Sequence, residues 1–213
     1  MEQAKAMLVG LCGMSGAGKG YISDIFMSFG IPSIDTDAVY RDLTAPSGSV
    51  SECMKELVSR FGEGIMNSDN SLNRSALREL VFSGDRKALA DLNRISHRLI
   101  LEETRRRADK LFKEGYDVIL IDAPLLFESG FDRECAKNIC VTAPFEKLVR
   151  RIMKRDGITK EEAETRLSNQ TSQCETASRC DYIIVNDFPK RKLRSDVKKI
   201  AAELKKTASE NAR

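Results

Sequence analysis

Histidine occurs once in this chain, at His97, and aromatic residues make up only 6% of it. One histidine and no Cys-x-x-Cys pair leave no recognisable zinc site. Few aromatics, with no basic stripe interleaved among them, argue against nucleic acid as the main partner. An excess of one charge is missing too: 35 Lys plus Arg stand against 32 Asp plus Glu, and the net +3 is too small to mark nucleic acid or an anionic membrane as the target. No apolar run approaches the roughly 20 residues of a membrane-spanning helix. The opening residues, Met1 to Val9, hold too short an apolar stretch for a secretory leader and carry Glu2 where leaders are basic. The expectation is a cytoplasmic protein with no membrane partner. Its six cysteines, Cys12, Cys53, Cys135, Cys140, Cys174 and Cys180, are spaced irregularly and read as reduced thiols that mostly serve packing.

What is present is a globular composition, 41% hydrophobic and 31% charged over 213 residues, which fits one compact domain with an insertion. Short apolar runs at Met7 to Cys12, Ile31 to Ile34, Val118 to Ile121, Ile139 to Val141 and Ile183 to Val185 alternate with longer helical stretches. That alternation predicts an α/β fold with a five-stranded parallel sheet covered by helices. Val118 to Ile121 has no polar alternation and should be a central strand. From about Leu43 to Gly115 the interval between strands is too long for one crossover helix and predicts a helical insertion. Within Arg86 to Glu114, Leu89, Leu92, Ile95 and Leu99 mark one buried stripe. A second interruption, Pro144 to Arg179, is rich in both charge signs and reads as a mobile helix-loop-helix. Lys190-Arg191-Lys192 and the Lys/Ala/Glu-rich end read as the solvated face of a last helix, and Phe26, Met27 and Phe127 as packing.

The strongest chemical signal is Gly13-Met14-Ser15-Gly16-Ala17-Gly18-Lys19-Gly20, placed after an apolar strand and before a helical stretch. A bound phosphate needs a cage of backbone N–H groups at a helix N-terminus, glycines where the chain coils closely, and a cation. The residue after the lysine is Gly20 rather than a magnesium-contacting hydroxyl, and Tyr21 follows. A second signal is Asp35-Thr36-Asp37 at the end of the second strand. In an extended segment both carboxylates would share a side and face the ligand crevice, where one could position an acceptor hydroxyl and take its proton; an ordinary Asx turn is the other reading. Asp122, closing the third apolar run, stands where a strand-end acid holds a Mg²⁺ shell.

Arg151 and Arg155 are four residues apart on a charged helix, as are Arg166 and Gln170, so each pair shares a face. Such a flap could close over transferring phosphates, or its arginines could form surface salt bridges with Glu161, Glu162 and Glu164. His97 lies off the leucine stripe and faces either a ligand or water. Arg105, Arg106 and Arg107 read as a solvated helix face.

Taken together, these residues resemble the dephospho-CoA kinase family along most of the chain, from about Met7 to Asn186. The likeness rests on the loop from Gly10 to Lys19; Gly30 to Asp37 with Arg41; Phe61-Gly62-Glu63-Gly64-Ile65 followed by Leu72-Asn73-Arg74; Asp122-Ala123-Pro124-Leu125-Leu126-Phe127-Glu128-Ser129-Gly130; and Arg155-Asp156-Gly157 with Arg166 and Gln170. The resemblance implies a P-loop kinase fold with a nucleotide-binding core (1–43, 116–145 and 180–213), an acceptor-binding helical insertion (44–115) and a lid (146–179). It implies transfer of the ATP γ-phosphate to the 3′-hydroxyl of dephospho-CoA. Asp37 then matches the catalytic base, Lys19 the phosphate-gripping lysine, and Arg151 and Arg155 the lid cations. Nucleotide binding falls to Gly13 through Tyr21 and Asn186, acceptor binding to Asp35, Asp37, Arg41, His97, Asp122 and Leu125, and Mg²⁺ to Asp122. The chain departs from the family pattern at Cys12, Gly20 and Arg98. Expected partners are the small molecules ATP and dephospho-CoA, with no nucleic acid, and the chain is expected as a monomer or weak homo-oligomer. Two rival readings remain: a kinase for another hydroxyl, and a nucleotide-binding protein with little turnover.

Overall fold

The computed structural model describes residues 6–82 and 87–211. The helix start expected at Arg86 and the two extreme ends of the chain lie outside the described residues. The elements run β1 (Met7–Cys12), α1 (Lys19–Met27), β2 (Ser33–Asp35), α2 (Thr36–Leu43), α3 (Glu52–Phe61), α4 (Arg74–Phe82), α5 (Ala88–Lys113), β3 (Val118–Asp122), β4 (Lys137–Thr142), α6 (Phe145–Asp156), α7 (Lys160–Ser168), α8 (Gln173–Ser178), β5 (Tyr182–Val185) and α9 (Lys190–Asn211). Short 3₁₀ turns stand at Glu63–Ile65 and Phe131–Glu134.

The five strands form one sheet in the order β2-β3-β1-β4-β5. β1 pairs in parallel with β3, Leu8 opposite Ile119, and with β4, Leu11 opposite Ile139. β4 pairs in parallel with β5. Parallel strands joined by crossovers are covered on both faces, which is why β1 and β3 are written almost wholly in apolar residues. Val118 through Ile121 are all buried, and β3 lies inside the sheet next to β1, the middle strand.

By compactness the chain divides into two units, Met1–Ile34 with Ala108–Arg213, and Asp35–Arg107. The core of the first is built from Val9, Leu11, Ile22, Phe26, Leu120, Ile139, Val141, Leu148, Ile152, Val197 and Leu204, among others. In the second, Met54, Leu57, Ile65, Leu77, Ile95 and Leu99 bury one another.

Three local expectations change. Leu89 is 45% exposed, and the stripe on α5 runs instead through Ala88, Leu92, Ile95 and Leu99, one residue out of phase with the leucine pattern at its start. Met27, at the end of α1, is 52% exposed rather than packed. The stretch from Pro144 to Arg179 holds three helices, not two, because capping residues punctuate it. Thr159 and Glu162 form a reciprocal capping box at α7, and the Ser172 hydroxyl accepts from the Glu175 N–H at α8. Gly157, with φ 67°, ends α6 in the left-handed region.

Candidate active site

β1 delivers the chain into the glycine loop at the middle of the sheet. Gly13 has φ 145°, and a Cβ there would stand 2.3 Å from the Val141 carbonyl oxygen on β4, so only glycine lets the chain turn so close to the neighbouring strand. Gly18 has φ 92° and precedes α1 without any side-chain cap. A Cβ at Gly18 would stand 2.3 Å from Asn186 Nδ2. A helix start left uncapped by side chains, fed by a tight glycine turn, is built to receive an anion.

Lys19 Nζ donates to the Gly13 carbonyl at 3.3 Å and lies 3.8 Å from the Asp122 carboxylate. Both side chains are nearly enclosed, at 15% and 13% exposure, so one cation and one anion share a confined site at the ends of β1 and β3. Gly20 has no atom within 4 Å of the position its Cβ would take. Tyr21 is exposed, with Lys190 Nζ 5.8 Å from its ring centre. Leu125, in the turn after β3, is also exposed.

Two elements buttress the loop from behind. Asn186, just past β5, donates from Nδ2 to the Ala17 carbonyl at 2.7 Å. Arg151 on α6 donates from one nitrogen to the Gly16 and Ala17 carbonyls, at 2.9 and 3.2 Å, and from the other to the Asn186 carbonyl at 3.2 Å. One turn later on the same helix, Arg155 donates to the Ser15 hydroxyl at 3.1 Å. Asp156 grips Arg155 with both carboxylate oxygens and also pairs with Arg166 on α7. The guanidinium groups of Arg155 and then Arg166 hold the Asp156 carboxyl down at about 2.

Residues missing from the expected site emerge here. Gln170 Oε1 accepts from the Ser15 backbone N–H at 3.0 Å, so its amide oxygen occupies a donor of the loop. Its four-residue spacing from Arg166 was the available signal. Gln173 pairs both of its side-chain polar atoms with the Ala143 backbone and ties α8 to the end of β4; no sequence pattern announces this.

In the unit Asp35–Arg107, the extended reading of Asp35-Thr36-Asp37 is corrected. β2 stops at Asp35, whose carboxylate caps α2 by accepting from the Asp37 N–H at 2.8 Å and the Ala38 N–H at 3.2 Å. The cap turns the chain into a helix, so Asp37 sits in the first turn of α2, exposed. Arg41, one turn on, lies 3.6 Å from Asp35. On α5, His97 is half-buried, and that burial lowers its pKa and favours the neutral imidazole. Arg106 and Arg107 both grip Glu103, and Arg107 also reaches Asp42, so this face is an ion-pair network as well as a solvated one.

A middle parallel strand running into a glycine turn with one enclosed lysine defines a nucleotide-binding protein of the P-loop kinase class. A family model described as CoaE, dephospho-CoA kinase, matches residues 7–190. The chain belongs to the dephospho-CoA kinase family. It is similar to the dephospho-CoA kinase of Listeria monocytogenes, 33% identical over 189 residues, which cover 89% of this chain and 92% of the relative. Among solved structures it resembles TT1252 from Thermus thermophilus (TM-score 0.76, 28% identity, 94% of this chain and 98% of that one). It also resembles the dephospho-CoA kinase from Campylobacter jejuni (TM-score 0.67, 26% identity, 94% and 98% covered).

Proposed function

We propose that this protein transfers the γ-phosphate of ATP to the 3′-hydroxyl of dephospho-CoA, giving ADP and coenzyme A. The observation that carries the reading is the enclosed Lys19 ammonium, held in its loop by the Gly13 carbonyl and Asp122 at the uncapped start of α1. Phosphoryl transfer asks little covalent chemistry of a protein; positioning and charge neutralisation lower the barrier. The loop from Gly13 to Gly20 cradles the phosphates, Lys19 and Arg155 neutralise charge as it moves to the leaving oxygens, and Arg151 and Asn186 keep the loop in shape. Asp37 accepts the proton of the acceptor hydroxyl, while residues 44–115 take the acceptor and residues 146–179 serve as the lid. Asp35, Arg41, His97 and Leu125 complete the acceptor side.

The residues fit a Mg²⁺ held by the Asp122 carboxylate, phosphate oxygens and water, since Gly20 leaves open space where a hydroxyl would stand. Such an ion would neutralise phosphate charge. We place the reaction in the cytoplasm, in a monomer or weak homo-oligomer; among the described residues no helix is long and apolar enough to cross a membrane.

Coupled ADP release with dephospho-CoA, adenosine, uridine and gluconate as acceptors tests the assignment. Dephospho-CoA should be preferred, and a preference for any of the other three overturns it. Tight nucleotide binding with no acceptor-dependent ADP release across a Mg²⁺ series supports the rival, a nucleotide-binding protein. Asp37→Asn should lower kcat far more than ATP affinity; an equal loss of ATP binding rules out its role as base.

A further inference from the structure

Cysteines that are scattered in sequence converge beneath the phosphate loop. Cys12 closes β1, Cys140 stands opposite it in the β4 register, and Cys180 lies between α8 and β5. The Cys12 and Cys180 sulfurs are 3.6 Å apart, within hydrogen-bond reach of each other. Cys12 and Cys140 are buried, whereas Cys180 is only half-buried and forms the accessible edge of the cluster. All three are free thiols.

We propose that this cluster is an oxidation site for peroxides, at which Cys12 and Cys180 close into a disulfide that pulls on the phosphate loop. Three properties support it. The S–H groups of Cys12 and Cys180, together with the nearby Lys19 charge, draw the Cys140 thiol below its ordinary range, so Cys140 sheds its proton readily. Cys180 keeps its proton, the Cys140 sulfur pushing its thiol up, but its place at the accessible edge makes it the sulfur a peroxide meets first. Finally, Cys12 is bonded to Gly13, whose carbonyl holds Lys19 and whose Cα faces Val141 too closely to admit a Cβ. Little slack separates the disulfide from the loop.

In the first step the Cys180 sulfur attacks one peroxide oxygen as its proton passes to the departing oxygen. An S–O bond forms, the O–O bond breaks, and the departing oxygen leaves as water, giving a sulfenic acid. The Cys12 sulfur then attacks the Cys180 sulfur. The S–S bond forms, the S–O bond breaks, and hydroxide departs with the Cys12 proton as a second water. Two thiols are oxidised by two electrons and one peroxide is reduced to two waters; a dithiol reverses the change by exchange. Closure draws the sulfurs from 3.6 Å to about 2.05 Å.

The test treats the full chain with hydrogen peroxide and reads intact mass, disulfide-linked peptides and phosphotransfer. Expected is a loss of about 2 Da, a linked peptide pair carrying Cys12 and Cys180, and reversal by dithiothreitol. Turnover should fall by about tenfold or more, the scale on which a displaced positioning group costs rate. Cys180→Ser should keep basal turnover and escape inactivation. A gain of oxygen mass without a link, a link through Cys174 or Cys135 instead, unchanged turnover in the linked form, or equal peroxide sensitivity in Cys180→Ser would each overturn the proposal. The mass and peptide readouts hold whichever acceptor the enzyme phosphorylates, so failure here is distinguishable from failure of the proposed reaction.

Discussion

Replacing Arg151 with alanine separates two roles that its position on α6 allows. A cation acting only on transferring phosphates would leave the nucleotide-free protein as stable as before. The geometry demands more, since the guanidinium donates to three backbone carbonyls, Gly16, Ala17 and Asn186, at 2.9, 3.2 and 3.2 Å. Hydrogen bonds from a charged group contribute about 1.5–3 kcal/mol each, but water can replace part of this at a half-buried site. Taking about 1 kcal/mol per bond gives a loss of about 3 kcal/mol. For a chain of this length that lowers Tm by roughly 6–12 °C. The Ala17 carbonyl keeps the Asn186 amide as a donor, so the loop should loosen at Gly16 first. Arg151→Lys, which keeps the charge but not the planar fork, should fall between wild type and Arg151→Ala. Thermal and urea melts without nucleotide, with calorimetric ATP titration alongside, read both effects. Wild-type stability, within about 0.5 kcal/mol, combined with weak ATP binding would refute the buttress argument.

Gly20→Ser places a hydroxyl in open space on the first turn of α1. It should lower the Mg²⁺ concentration needed for half-maximal turnover and add about 0.5 kcal/mol of helix stability; an unchanged Mg²⁺ dependence would place the metal elsewhere. Asp35→Ala removes both N–H partners at the start of α2, and should cost about 1 kcal/mol and lower kcat with ATP affinity near wild type. Normal stability and kcat in that variant would show that the cap is dispensable. Asp156, held at about 2 by Arg155 and Arg166 against an ordinary 3.8, contributes stability that is complete above about pH 3.8 and is lost as pH falls through about 2. The difference between wild type and Asp156→Asn in urea midpoint should therefore narrow between pH 4 and pH 2. A constant gap would exclude the ion pairs as its source.

Strand identity was legible in the linear pattern because buried parallel strands must be apolar on both faces: Met7 to Cys12 and Val118 to Ile121 need no tertiary information to be recognised. The phosphate loop was legible too, since the positive φ at Gly13, Gly16 and Gly18 demands glycine locally, although the groups that crowd Gly13 and Gly18, Val141 and Asn186, come from distant segments. The first turn of α2 was not, because Asp35-Thr36-Asp37 is compatible with both strand and helix. The choice falls to the Asp35 carboxylate, which captures two N–H groups once β2 ends.

What the chain's residues determined alone is thus the local chemistry: which segments are strands, where the glycine turn falls, and which family pattern the motifs follow. What only the folded molecule decided is who meets whom across long separations. Arg151 lies 135 residues from the Gly16 carbonyl it holds, Gln170 lies 155 from the Ser15 amide, and Cys180 lies 168 from the thiol of Cys12. Strand order sets such meetings. Because β4 and β5 follow β1 in the sheet, the helices and turns at their ends close around the loop, and no periodicity within any one segment encodes that adjacency.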